Sequence, residues 1–120
     1  MDLFCKLFVD AECDKNELVS RLAEITNGAA EHSSVVTKWC EFNVVRNSDS
    51  DERRTNSEQG GFLYFPFFLE IEPSDGVEHG VYVTGIGSLL TNLWNSGIQA
   101  VAACDFEDEL PLKGGYNPTR

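Results

Sequence analysis

The C-terminal third of the chain places an amphipathic helix directly before a buried strand. The apolar stripe of this helix consists of Leu89, Leu90, Leu93 and Trp94. Gly97 is expected to end the helix, and the apolar residues that follow it, up to Cys104, are typical of a buried strand. Because a helix with one apolar side must cover another element, this order predicts a sheet with helices packed on it.

The rest of the chain shows the same alternation of strands and helices. Strands are predicted at residues 2–9, 35–46 and 62–72, and helices at residues 14–28 and 79–96. Residues 29–34 are predicted to form a polar loop, and Pro66, which has no N–H, predicts a bulge in the third strand. The order of elements predicts an α+β, ferredoxin-like βαββαβ fold, with a four-stranded antiparallel sheet and two helices on one face.

The length of 120 residues predicts a single domain that spans residues 1–120. Residues 47–61 have no periodicity and are almost entirely polar, which predicts a flexible loop, and residues 107–120 are expected to form an irregular tail. No window approaches the ~20 apolar residues that a membrane span needs, and the first residues do not resemble a signal peptide. A cytoplasmic protein without a membrane segment is therefore expected.

The chain is strongly acidic, with 20 Asp and Glu against nine Lys and Arg and a formal net charge of -11. Nucleic acids and anionic membranes attract proteins chiefly through Lys and Arg, so neither is an expected partner. The same charge would steer a basic protein toward this chain and raise the rate of association. A contribution to solubility is the alternative explanation of the charge.

No arrangement typical of a catalytic, cofactor-binding or metal site is present in the sequence. The four cysteines form no Cys-x-x-Cys pair and are expected to be buried free thiols. The two histidines, His32 and His79, have no nucleophile and orienting acid at a recognisable spacing. Gly85 and Gly87 resemble half of a phosphate loop, but Leu90 stands where the pattern needs a third glycine. We therefore expect a protein that is not an enzyme.

Acidic and aromatic side chains are the candidates for binding a partner. In the predicted topology, Asp2, Glu72 and Asp105 converge at one end of the sheet, with Glu107 nearby, and a solvated acidic edge is favoured there over a metal site. Outward aromatic side chains would lie on the sheet face that the helices leave open. The predicted partner-binding residues are Asp105, Glu107, Asp108, Glu109, Glu70, Glu72, Trp39, Tyr64 and Phe68.

Three segments in the second half of the chain carry a family resemblance. They are residues 65–73 (FPFFLEIEP), 89–97 (LLTNLWNSG) and 102–111 (AACDFEDELP). In these segments the chain resembles small acidic bacterial proteins of the immunity type, which accompany secreted polymorphic toxins. The resemblance implies a cytoplasmic, non-catalytic inhibitor that binds a cognate toxin through acidic and aromatic surface. It assigns no active-site residues.

Two other functions are compatible with the sequence. The open sheet face would also suit a small-molecule-binding domain or a small enzyme, which would require a pocket with a polar residue of perturbed pKa. The same face would equally suit a structural homodimer, because exposed apolar patches often mark interaction surfaces.

Overall fold

The computed structural model describes residues 1–55 and 60–115. In this part of the chain, two α-helices pack on one antiparallel sheet of six strands. The strands are β1 (Cys5–Asp10), β2 (Ala29–Glu31), β3 (Ser34–Val36), β4 (Cys40–Arg46), β5 (Phe67–Pro73) and β6 (Gln99–Cys104). The helices are α1 (Lys15–Thr26) and α2 (His79–Asn95). The spatial order of the strands is β2-β3-β4-β5-β1-β6.

The predicted four-stranded, ferredoxin-like βαββαβ fold is wrong, although the α+β class and the two helices agree with the prediction. The sheet has six strands, and the elements follow the order βαββββαβ. The difference arises in residues 29–46, where the sequence predicts a loop and one strand. Thr37 interrupts that strand, because its Oγ1 accepts hydrogen bonds from the N–H groups of Trp39 (3.1 Å) and Cys40 (2.9 Å). The chain turns there, so β3 pairs with β4 and β2 extends the sheet.

The third predicted strand, residues 62–72, begins only at Phe67. Pro66 has no N–H to donate to a neighbouring strand, and the residues before it form a 3₁₀ helix, Gly61–Tyr64. A continuous strand through residues 62–72 would place Leu63 on the same face as the buried Phe67 and Leu69. In the 3₁₀ helix it is instead 47% exposed.

Asn47 fastens this 3₁₀ helix to the end of β4. Its buried side chain donates through Nδ2 to the carbonyls of Leu63 (2.9 Å) and Phe65 (2.8 Å). Its backbone N–H donates to the carbonyl of Pro66 at 2.8 Å. These bonds place Phe65 against Phe8, on the sheet face opposite the helices.

Helix α1 begins as the sequence predicts. The Oδ1 atom of Asp14 accepts the N–H of Glu17 at 2.8 Å, which satisfies one of the free donors at the start of the helix. The helix ends at Thr26, and its C-cap residue Asn27 is left-handed with a φ of 56°, while the N–H of Gly28 donates to the carbonyl of Ala23. The predicted stop at residue 28 is therefore one residue late.

Helix α2 contains a glycine that its packing requires. A Cβ atom at Gly85 would lie 2.6 Å from ring atoms of Trp39. Because glycine has no side chain, the helix lies directly against the indole. This close packing explains why a residue of poor helix propensity occupies the position. Neither α1 nor α2, the two α-helices of residues 1–55 and 60–115, has the length and apolar character needed to cross a bilayer.

The segment after β6 runs along the outer edge of that strand. It contains two 3₁₀ turns, Glu107–Glu109 and Pro111–Gly115. The backbone passes so close to β6 that a Cβ atom at Gly115 would lie 2.6 Å from the carbonyl oxygen of Ala100. The predicted loop at 47–61 and the predicted tail at 107–120 also include residues 56–59 and 116–120, which lie outside the described residues.

The apolar residues form two clusters on opposite faces of the sheet. The main core lies between the sheet and both helices. The smaller cluster lies on the other face and consists of Phe8, Phe65 and Val101, with Phe62, Phe68 and Ala103 packed against it. Aromatic side chains thus cover one half of the face opposite the helices, and the other half is polar.

Candidate protein-binding groove

The polar half of the face opposite the helices carries three glutamates from two neighbouring strands. The register places Glu41 of β4 directly opposite Glu72 of β5. Glu70 lies two residues before Glu72 on the same face of β5, between Asn43 of β4 and Lys6 of β1. Like charges directly opposite each other on a sheet are destabilising, so the register predicts repulsion between Glu41 and Glu72 in the free protein.

These glutamates line a groove of about 320 Å³. Its lining residues are Phe4, Ser34, Glu41, Phe42, Asn43, Glu70 and Glu72. The hydroxyl of Ser34 donates to Oδ1 of Asn43, which fixes the polar floor of the groove. All three glutamates are exposed, and none of them forms an ion pair with another residue of segments 1–55 and 60–115. We call this site the glutamate groove.

Lys6 stands at the border between the glutamate groove and the aromatic half of the face. Although the register places it opposite Glu70, its Nζ lies 4.1 Å from the ring centroid of Phe68 and 5.3 Å from that of Phe8. The ammonium group is therefore held over aromatic faces, where the ring quadrupoles attract it. The glutamates are left with a net negative potential that a bound cation could neutralise.

The predicted aromatic binding residues are distributed over different parts of the molecule. Phe68 lies on the face opposite the helices, as expected, beside Phe8 at a centroid distance of 5.8 Å. Trp39 does not, because the turn at Thr37 directs it to the helix side, where its ring lies 6.1 Å from that of Tyr82. The prediction that Trp39 belongs to the open face is therefore wrong.

Tyr64 lies in the 3₁₀ helix rather than in a strand, so it is not part of the glutamate groove either. Its hydroxyl accepts a hydrogen bond from Arg54 at 3.1 Å, and the guanidinium carbon of Arg54 lies 5.1 Å from the ring centroid. The hydrogen bond and the negative charges nearby raise the pKa of Arg54.

The acidic residues after β6 have different surroundings. Glu107 accepts the N–H of Cys104 through Oε2 at 3.0 Å, and Glu109 pairs with Nε2 of His79 at 3.0 Å. Asp105 accepts the N–H of Asp2 through Oδ2 at 3.3 Å, so two members of the predicted acidic corner do meet. Asp108 is exposed and forms no ion pair within the described residues.

The third member of that corner, Glu72, belongs to the glutamate groove. Continuing the register by one residue before Cys5 places Phe4 between Glu72 and Asp105. Of the nine predicted partner-binding residues, Glu70 and Glu72 therefore line the groove and Phe68 borders it. Glu41 is not among the nine predicted residues, although its alternation with Phe42 in β4 indicates an outward side chain.

A second concave site lies at the opposite end of the sheet. It has a volume of about 510 Å³, and its lining includes Asp10, Glu12, Arg46, Glu52 and Tyr64. Burial raises the pKa of the Asp10 carboxyl, and the charges of Glu12 and Glu52 raise it further. The guanidinium carbon of Arg46 lies 5.0 Å from the ring centroid of Phe67, which fixes the cation at one wall. We call this site the Asp10 cleft.

Within segments 1–55 and 60–115, no group of three or more His, Cys, Asp or Glu side chains is arranged to hold a metal ion. Comparison with protein-family models, with curated proteins and with solved structures finds no match for the chain. The resemblance to immunity proteins therefore stays a prediction.

Proposed function

We propose that the chain is a non-catalytic, cytoplasmic binding protein that takes a basic protein partner into the glutamate groove and thereby neutralises it. The observation that carries this proposal is the opposed pair Glu41 and Glu72, with Glu70 beside it and no cation paired with any of the three in the described residues. An arginine or lysine of the partner would relieve the repulsion between the two carboxylates. A toxin of the kind that the resemblance implies is the partner that we propose.

The surroundings of the groove suit a long cationic side chain. Carboxylates bind guanidinium groups through two parallel hydrogen bonds, and several glutamates in one groove offer more than one such position. Phe4 in the groove and Phe68 at its border provide apolar surface for the methylene stem of the same side chain. The net charge of -11 would accelerate the encounter with a basic surface.

Co-expression with the product of the neighbouring gene, followed by a pull-down, tests the proposal. The complex is expected to hold in about 0.05 M salt and to weaken by about tenfold or more in about 0.5 M salt, since salt screens exposed charges. The absence of a salt-sensitive complex would count against the proposed function. Light scattering on the free protein would distinguish this binding mode from a homodimer.

A charge-matched pair of double variants locates the binding site. Glu41→Gln with Glu72→Gln removes two charges from the groove, and Glu24→Gln with Glu78→Gln removes two exposed charges on the helix side of the sheet, so both proteins change from -11 to -9. The groove variant is expected to bind the partner at least about tenfold more weakly, whereas the control keeps its affinity. Equal losses in both variants would refute the assignment to the groove and leave only a net-charge effect.

The same groove variant gives a second, independent readout. Because it removes the repulsion between Glu41 and Glu72, the free protein should unfold at a slightly higher temperature than the wild type. A more stable free protein together with weaker binding is the result expected if the partner neutralises this pair of charges. A variant that simply damaged the fold would lower both quantities.

A second candidate function is the binding of a small cationic ligand in the Asp10 cleft. It is supported by the volume of the cleft and by the raised pKa of Asp10 within it, since pKa shifts of this kind concentrate at functional sites. A linear polyamine is a suitable probe because the lining carries several carboxylates. Stabilisation of the wild type, but not of Asp10→Asn, in a thermal-shift assay would favour this function.

A further inference from the structure

Two of the four free cysteines lie directly opposite each other in the sheet. The register pairs Cys5 of β1 with Cys104 of β6, although they stand near opposite ends of the chain. Both side chains lie on the helix side of the sheet, where Cys5 is fully buried and Cys104 packs against the same core. The two thiols are close enough that each one shifts the pKa of the other.

The backbone hydrogen bonds identify the kind of strand pair that the two cysteines form. The N–H of Cys104 donates to Oε2 of Glu107 at 3.0 Å, and the carbonyl of Ala100 accepts from Nε1 of Trp94 at 3.0 Å. Residues 100 and 104 therefore direct their backbone groups to the outer edge of β6 and not toward β1. Cys5 and Cys104 consequently form a non-hydrogen-bonded pair, in which Cα atoms are about 4.5 Å apart and side chains are closest.

This spacing is compatible with a covalent bond between the two sulfurs. The Cα atoms of disulfides are usually ~4.4–6.8 Å apart, and a non-hydrogen-bonded pair lies inside that range. The two side chains also point to the same face of the sheet, so the strands need no change of register to be joined.

The surroundings assign different roles to the two thiols. The hydrogen bond from Cys5 lowers the pKa of Cys104, and the backbone N–H of Phe106 lowers it further, against burial and the nearby carboxylates. The hydrogen bond to Cys104 and burial both raise the pKa of Cys5. Cys104 is also partly exposed, whereas Cys5 is fully buried. A small oxidant would therefore reach Cys104 before Cys5, and the lowered pKa of Cys104 favours the thiolate, which is the form that reacts.

We propose that Cys5 and Cys104 are a modification site at which hydrogen peroxide forms a reversible disulfide between β1 and β6. In the first step, the Cys104 thiolate attacks one peroxide oxygen, the O–O bond breaks, and the departing hydroxide takes up a proton as water. The resulting sulfenic acid is then attacked by the sulfur of Cys5. The S–S bond forms, and the sulfenic hydroxyl leaves as a second water with the thiol proton. The two thiols are oxidised by two electrons, and one peroxide is reduced.

Peptide mapping of the intact wild-type protein tests this proposal directly. After peroxide treatment, remaining thiols are alkylated in denaturant and the chain is cut with trypsin. Each cysteine then lies in a different peptide, because cleavage after Lys and Arg gives residues 1–6, 7–15, 39–46 and 55–113. The expected result is a cross-link between peptides 1–6 and 55–113, the loss of two thiols, and recovery of both with a dithiol reductant.

Other results of the same experiment would overturn the proposal. Four thiols that stay reactive, a sulfinic acid at Cys104 without a cross-link, or cross-links to peptides 7–15 or 39–46 would each do so. Cys104→Ser is expected to abolish the cross-link, and Cys13→Ser, a change at another partly exposed thiol, is expected to preserve it. If Cys104→Ser does not fold, the wild-type map still decides the question.

Discussion

Replacement of Asn47 by alanine is expected to release the 3₁₀ helix Gly61–Tyr64 from the end of β4. Asn47 is 6% exposed, and its Nδ2 supplies hydrogen bonds of 2.9 Å and 2.8 Å to the carbonyls of Leu63 and Phe65. An alanine side chain cannot donate a hydrogen bond. The carbonyls of Leu63 and Phe65 would therefore lose the Asn47 donor at a site with little access to water. Phe65, which packs on Phe8, depends on the same connection.

The size of the effect follows from the burial of the two carbonyls. A buried polar group that loses its partner costs about 1–3 kcal/mol. The bond to Phe65 is buried and that to Leu63 is partly buried, so about 3 kcal/mol is expected for the two together. With a urea dependence of about 1–3 kcal/mol per molar for a domain of this size, the midpoint of unfolding should fall by about 1–3 M.

Urea unfolding followed by tryptophan fluorescence measures this change, and Asn43→Ala is the matched control. Asn43 is exposed and has one side-chain hydrogen bond, to Ser34, so its loss should cost only about 0.5 kcal/mol. Limited proteolysis with chymotrypsin provides a local readout, because the released segment contains the cleavage sites after Phe62 and Tyr64. If the Asn47 and Asn43 variants unfold at the same urea concentration, the buried amide does not hold the segment and the reasoning is wrong.

Three further predictions concern packing and pH. Gly85→Ala would place a Cβ atom 2.6 Å from the Trp39 ring and should lower the free energy of unfolding by about 1–3 kcal/mol. Gly80→Ala is the control, because a Cβ atom there would meet no other atom, and it should raise the free energy of unfolding by about 0.5 kcal/mol. Thermal unfolding measures both changes. Asp10→Asn should stabilise the protein at about pH 7 but not at about pH 3, because burial raises the pKa of this carboxyl and makes its charge costly in the folded state. Burial raises the pKa of the Cys40 thiol to about 11, so the unfolded chain releases this proton first and the free energy of unfolding should fall as pH rises from about 9 to 11. Cys40→Ala should lose that part of the pH dependence in urea titrations, and an unchanged slope would contradict the assignment.

The sequence predicts the elements whose determinants are local. Helix α1 begins where Asp14 caps it, and helix α2 ends just before Gly97, because both signals lie within one turn of the helix end. The predicted strand at residues 35–46 is instead divided at Thr37. The side chain of Thr37 accepts hydrogen bonds from the N–H groups of Trp39 and Cys40, and these bonds compete with strand pairing. The alternation of apolar residues does not reveal such bonds.

The candidate site is less predictable because it depends on distant pairings. Glu70 and Glu72 are visible as outward residues of one strand, but the repulsion that defines the groove requires Glu41 to lie opposite Glu72, and only the register provides this. The connection from Asn47 to Phe65 likewise joins two segments across a loop through polar atoms. Periodicity reports which side of a strand a residue occupies, and it does not report the neighbour across the strand.

The two edges of the sheet determine whether copies of the protein can pair with one another through their strands. The outer edge of β6 is occupied by the segment Pro111–Gly115 and by the side chain of Glu107. Within residues 1–55 and 60–115, the other edge is β2, which has only three residues, all of them exposed, and ends at Glu31. A short strand with a charged end is a poor template for strand addition. The molecule can therefore carry long apolar strands in its interior and still resist edge-to-edge polymerisation at high concentration.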